Sequence, residues 1–403
     1  MGIDWNQQAH APLILMNKRT VLHLIESLAF GGAEVTLSLL VANLRRGAYD
    51  PIVCCLTGGP LKTEIERNGV PVITLNITRR SIVLLPLFLL DITRAVIKLF
   101  LIVRRRNVAI IHAHLVDCVM LGGIVGKLSG TRVVASFPGP NLLPLDRKAG
   151  DARNHLRRFF YRIGAKLVDR FIAVSDEVRA TLAEMVGVGA AKITVVHSGV
   201  DLSEHDRPIS LESLYGKLGM APDETIVTCV GRLVPNKGHR FLIEATKEVI
   251  RRHPEVRVLL VGAGSSREAL TKLVSELGLD QHVRFLPDCP DTREILAITT
   301  AFVLPSLGEG ISVALLEAMA AGKPVIATAV PGNTDVVVPG VTGLLVPAQD
   351  ASALAQAICE LLADPCGARR MGAAGRVRVK NHFSFDNTCR RVEGLYDEVM
   401  ACK

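Results

Sequence analysis

The sequence predicts an α/β protein built of two Rossmann-like, doubly wound domains facing a central cleft. Three observations carry this prediction. The chain has 403 residues, beyond the roughly 250–300 at which one hydrophobic core stops growing, and 49% of them are hydrophobic. Short apolar, β-branched runs alternate with longer segments of helical period, the pattern of βα units on a parallel sheet. The alternation breaks once, at 199–222, where Asp, Glu, His, Ser and two prolines cluster, and then restarts.

Taken in order, residues 1–17 read as an N-terminal extension, because the apolar stretch 11–16 is too short for the core of a signal peptide. A first domain over 18–200 follows, with strands at 21–25, 52–56, 72–75, 108–112, 132–136, 171–174 and 193–197. Residues 201–222 form the linker. A second domain over 223–384 has strands at 225–230, 256–261, 283–286, 302–304 and 324–327. Residues 385–403 end the chain in a helix expected to pack back on the first domain. In open parallel sheets ligands bind beyond the carboxyl ends of the strands, so the chemistry is expected there.

Composition narrows the function classes. Nine cysteines without any CxxC pair read as reduced, core-filling thiols of a cytoplasmic protein. Aromatic residues make up only 4%, which argues against stacking platforms for bases or sugars. The net charge of +8 is uneven: residues 1–200 hold 25 Lys+Arg against 14 Asp+Glu, and the remainder 22 against 25. No nucleic-acid-binding module accompanies the basic half, so nucleic acid is not expected as a partner. An anionic membrane surface is.

The segment from Ser81 to Arg106 bears on that surface. It is apolar and long enough for a bilayer, yet Asp91, Arg94 and Lys98 share one helical face inside it. Each would cost about 2.5–3.5 kcal/mol near the centre of a span, so spanning is disfavoured. Two readings remain: a crossover helix buried between two strands, and an interfacial helix whose Arg79, Arg80 and Arg104–Arg106 meet anionic headgroups. The basic first half favours the second, which predicts a protein peripheral on the inner face of the cytoplasmic membrane.

Three motifs carry chemistry. Gly31 and Gly32 follow the first strand and open a helix over 35–46, where a backbone without side chains and a helix N-terminus suit an anion. Arg232 and Lys237 stand five residues apart around a turn after the strand at 225–230, with Gly238 opening the next helix. Both cations can converge on one phosphate cluster. In the third, a strand ends at Pro305, Glu309 follows between Gly308 and Gly310, and 311–320 reads as a helix carrying Glu317. Counted as helix, the spacing of eight puts the two carboxylates ~12 Å apart along the axis, too far for a glycosidase pair. N–H groups near Ile311 and Ser312 suit a diphosphate, and the carboxylates suit hydroxyls.

At these residues the chain resembles the retaining glycosyltransferases of family 4, which have the GT-B fold. The resemblance runs from about Thr20 and rests on Gly31-Gly32-Ala33-Glu34, Ile111-His112-Ala113-His114, Gly231-Arg232-Leu233 with Lys237-Gly238, Glu309 to Glu317, and Gly340 to Pro347. It implies transfer of a sugar from a nucleotide-diphosphate donor to a lipid-linked or glycan acceptor. His114, Glu309, Arg232 and Lys237 are then the catalytic candidates. Gly31, Gly32, Gly310, Ile311, Ser312, Val313 and Glu317 join Arg232, Lys237 and Glu309 in binding the donor. Arg232 and Lys237 would neutralise the diphosphate, Glu309 bind sugar hydroxyls, Glu317 bind ribose hydroxyls, and His114 lie near the reacting sugar. The family uses no metal, and neither Asp-x-Asp nor a His/Cys ligand spacing occurs, so no metal or other cofactor is expected.

The chain departs from the family pattern in places. Ile311-Ser312 replaces the usual Phe-Gly, Asp335 stands for a glutamate, and the histidine usual near Ser136-Phe137-Pro138-Gly139 is missing. These changes bear on donor-sugar fit and leave a catalytically inactive, nucleotide-sugar-binding scaffold as the alternative. A dinucleotide oxidoreductase is disfavoured, since Gly262-Ala263-Gly264 lacks the third glycine of that fingerprint.

Overall fold

The computed structural model describes residues 18–29, 31–77, 85–139, 162–218, 220–221, 224–287 and 291–401. The expected extension at 1–17, Phe30, Arg79, Arg80 and Ser81 lie outside them.

The first sheet has seven strands: β1 (Arg19–Ile25), β2 (Tyr49–Cys55), β3 (Val72–Thr74), β4 (Val108–His114), β5 (Arg132–Phe137), β6 (Arg170–Ala173) and β7 (Ile193–Val195). All pair in parallel, in the order β3-β2-β1-β4-β5-β6-β7. The second has six: β8 (Thr225–Val230), β9 (Val256–Val261), β10 (Val283–Leu286), β11 (Ala301–Leu304), β12 (Val325–Thr328) and β13 (Leu344–Val346). Their order is β10-β9-β8-β11-β12-β13, again parallel. Such strands are covered by helices on both faces, which is why they read as near-continuous apolar runs. The interior strand β11, Ala301-Phe302-Val303-Leu304, is buried at every position.

Several boundaries differ from the sequence expectation. The helix expected at 35–46 spans Gly32–Asn43, with Gly31 as its extended N-cap. Strand β4 runs two residues further than expected and ends at His114. Strand β13 was not anticipated from the sequence.

The segment beginning at Ser81 contains the helix Leu85–Arg105. It buries Ala95, Leu99 and Val103 in the core of the first sheet, so it is the crossover between β3 and β4. Lys98 turns to donate from Nζ to the carbonyl of Leu75 at 2.9 Å. Along the outer side, Leu90, Ile97 and Leu101 stay exposed in one stripe with Arg94, Arg104 and Arg105. Among the described residues no helix is long and apolar enough to cross a membrane.

The helix Phe385–Ala401 leaves the second sheet and covers the first. Phe385, Cys389, Val392, Leu395, Tyr396 and Val399 pack on Val21, Leu40, Tyr49, Ile110, Val134 and Ile172. Glu393 accepts from the Arg45 backbone N–H at 2.7 Å and from its guanidinium at 2.5 Å. Where the chain crosses between sheets it passes twice, side by side. Val200 N–H donates to Phe383 O and Phe385 N–H to Val200 O, both at 3.0 Å.

Candidate active site

In each sheet the strand order reverses direction once, between β1 and β4 and between β8 and β11. A crevice opens at such a switch point, beyond the carboxyl ends of the two strands. The singled-out residues follow these four ends. Gly31 and Gly32 come after β1, His114 ends β4, Arg232 and Lys237 come after β8, and Glu309 comes after β11.

The loops after β8 and β11 are tied together. Leu307 N–H donates to Asn236 O at 2.8 Å, and Asn236 Nδ2 donates to Gly308 O at 3.0 Å. Gly238 adopts φ +65°, and a Cβ there would lie 1.9 Å from Pro305 O, so glycine is required for the loops to meet. This closeness brings Lys237 Nζ to 2.5 Å from Glu309 Oε1. Ser306 Oγ donates to the same oxygen at 2.5 Å. The pair is largely buried, with side-chain exposures of 20% and 10%.

Arg232 is exposed and has no carboxylate ion pair among the described residues. Its charge acts on Glu34 of the first domain. Burial raises the Glu34 carboxyl above its ordinary value, against the pull of its own backbone N–H and of Arg232. The cleft is narrow here. A Cβ on Gly32 would touch Val313 Cγ2 at 3.9 Å, and one on Gly310 would lie 2.4 Å from Pro138 O and 2.9 Å from Val174 Cγ2.

The helix carrying Glu317 is shorter than expected. It spans Val313–Ala320 with Ser312 as an extended N-cap, and its first intrahelical bond runs from Leu316 N–H to Ser312 O. Its free N–H groups therefore belong to Ser312, Val313, Ala314 and Leu315. Ile311 is 5% exposed and packs in the core with Leu315 and Leu316. Because 309–312 is not helical, the separation reckoned from eight helical steps does not apply: only about four steps, ~6 Å of rise, lie within the helix. Glu317 accepts from Thr292 Oγ1 at 3.0 Å. Burial pushes its carboxyl up to about 7, with Thr292 opposing and Asp291 adding to the rise.

His114 belongs to a cluster that spacing did not reveal. His23 on β1 pairs in register with His112 on β4, and His114 lies two residues on, so three imidazoles share one face. His23 Nδ1 lies 3.2 Å from His114 Nε2. His112 meets Tyr396 OH through Nδ1 and Ser136 Oγ through Nε2, both at 2.6 Å. Burial holds His114 down to about 3, and burial together with His114 keeps His23 and His112 well below the ordinary value. Among the described residues this is the one group whose nitrogens come close enough to share a metal ion, within 4.8 Å of one another. The His112 and His114 ring centroids lie 4.1 Å apart with a 31° tilt, and both His112 nitrogens are already engaged, by Tyr396 and Ser136.

Residues 30–204 match the family model described as Glycosyltransferase Family 4, and residues 212–378 the model described as Glycosyl transferases group 1. A D-inositol 3-phosphate glycosyltransferase of Nocardia farcinica is 35% identical over 265 residues, 62% of this chain and 57% of that one. The chain thus spans little more than half of that relative's length. A GDP-mannose-dependent alpha-(1-6)-phosphatidylinositol monomannoside mannosyltransferase of Mycolicibacterium smegmatis is 34% identical over 292 residues, 68% of this chain and 71% of that one. Two solved structures share the fold at 22% identity. The Anabaena protein HepE in complex with UDP aligns with TM-score 0.77 over 94% of this chain and all of that one. A glycosyltransferase from Rickettsia africae aligns with TM-score 0.80 over 96% of this chain and all of that one. Two domains of GT-B architecture, each matched by its model, and a relative spanned over 71% of its length show that the chain belongs to glycosyltransferase family 4.

Proposed function

We propose that the protein transfers a sugar, with retention of anomeric configuration, from a nucleotide-diphosphate donor to a lipid-linked or glycan acceptor in cell-surface glycan biosynthesis. The observation that carries this reading is the buried Lys237–Glu309 pair between the loops after β8 and β11, with Arg232 exposed beside it. The ammonium has three donors, so it can keep Glu309 while turning others to a diphosphate. Arg232 supplies a second cation, and Val313, Ala314 and Leu315 supply free N–H groups at a helix N-terminus. These groups offset the charge that develops as the nucleoside diphosphate departs, and no metal is required of them. Glu309 orients hydroxyls of the transferred sugar, Glu317 those of the ribose, and His114 reaches the sugar from the first domain.

The two curated relatives are named for inositol-bearing acceptors, and one for GDP-mannose. UDP- and GDP-sugars are therefore the first donors to screen. The outer stripe of the helix Leu85–Arg105 supports action at an anionic membrane surface, on its cytoplasmic face. In transfer assays with the donor that raises Tm most, Lys237→Ala is expected to lower kcat by about 10²–10³-fold. Lys237→Ala also strands a buried carboxylate, at a cost of about 3 kcal/mol to the fold. The double variant K237M/E309Q removes both charges and should regain stability without regaining transfer. Transfer at the wild-type rate in a folded double variant would sink the proposal.

A further inference from the structure

The His23–His114 contact is a hydrogen bond whose direction can be worked out. One ring must donate and the other accept across the 3.2 Å between His23 Nδ1 and His114 Nε2. His23 is wholly buried, and its Nε2 has no partner. If His114 donated, His23 would carry its proton on Nε2, as a buried N–H with no acceptor. If His23 donates from Nδ1, the orphan is a bare lone pair instead. Orphaned buried N–H groups are the rarer and costlier of the two. The second arrangement therefore holds.

We infer that His23 is a positioning residue: its Nδ1–H donates to His114 Nε2 and fixes His114 as the tautomer protonated on Nδ1. The inference deepens the transferase reading and rests on it for its consequence. A His114 locked in this way presents an N–H donor to an oxygen of the substrate, where the other tautomer would present a lone pair. Two further features hold it there. The His112 ring, fixed by Tyr396 and Ser136, lies against His114 with centroids 4.1 Å apart and resists a ring flip. Burial also keeps both imidazoles neutral, so the proton count does not change across the working range.

The test begins with the resting protein, without donor. Nitrogen-15 NMR of labelled histidines, with the His114 signals assigned through His114→Gln, should show protonated Nδ1 and bare Nε2. His114 protonated on Nε2 would overturn the inference, whatever the protein is found to catalyse. In transfer assays His23→Leu should lower kcat about tenfold or more, with the donor KM within about twofold. His23→Asn, whose amide sits near the lost Nδ1, should restore most of kcat and the His114 tautomer. Equal losses in the Leu and Asn variants would reduce His23 to a packing role. Stoichiometric zinc in the purified protein, lost in His23→Leu, would also overturn the inference, because His23 would then be a metal ligand. If His23→Leu does not fold, the wild-type spectrum and the Asn variant decide the matter.

Discussion

At the scale of single residues, Glu317 offers a clear consequence. Its carboxyl is raised from 4.5 to about 7, chiefly by burial. A raised folded-state value means that the native protein holds this proton more tightly than the unfolded chain. Stability from this group is complete below about 4.5, falls as pH rises, and is fully lost above about 7. Glu317→Gln has no charge to bury, so its Tm should gain on the wild type between pH 5 and 8. A constant difference between the two melting curves across that range would refute the assignment. The ionised form is the better acceptor for ribose hydroxyls. The wild-type donor KM should therefore improve as pH rises through 7, while that of the Gln variant stays flat. Arg232, Lys237 and Glu309 were visible in the sequence because they stand beside glycines just after a strand, and Glu317 because it interrupts an apolar helical stretch. His112 was quoted only as part of the motif around His114 and His23 not at all, since 89 positions separate them and only the β1–β4 pairing brings them together. Tyr396 arrives from the far end of the chain and was equally hidden.

At the scale of elements, the sequence placed most strands but misjudged two helix starts. Ile311 and Ser312 fit an apolar helical run, yet the close packing of Gly310 under Pro138 and Val174 holds that stretch as a loop until Val313. Tertiary contact overrode local pattern. The helix Leu85–Arg105 reconciles readings that the sequence left apart, because its two sides do different work. Ala95, Leu99 and Val103 satisfy the crossover. Leu90 at 44%, Ile97 at 53% and Leu101 at 44% exposure lie on the opposite side, flanked by arginines. Such a stripe suits the headgroup boundary of an anionic leaflet. The double variant I97S/L101S should float with anionic vesicles far less than the wild type while keeping its Tm, since neither side chain is buried. Equal flotation of the two proteins, or none by the wild type, would remove the membrane role from this helix.

At the scale of the molecule, the two sheets are joined by two chain passages and one covering helix. The cleft places groups from both domains within reach of one another, as Gly310 at Pro138 and Gly32 at Val313 indicate. Closing or opening it must therefore be accommodated at the crossing. There, Val200 and Ser384 form a parallel bridge, and Thr388 Oγ1 donates to His197 O at 2.9 Å. Gly199 makes this approach possible: a Cβ on it would lie 2.7 Å from both Ser384 O and Thr388 Oγ1. One of those atoms is backbone and the other sits on a buried helix, so neither can yield cheaply. Gly199→Ala should push the two passages apart at a cost of about 1–3 kcal/mol. The displacement would reach the cleft through the helix Phe385–Ala401, which is packed on the first sheet. The expected result is a lower Tm together with a higher donor KM and faster hydrogen exchange at Val200 and Phe385. If the Tm falls but exchange at those two amides and the donor KM stay at wild-type values, the crossing is a structural joint with no hold on the cleft.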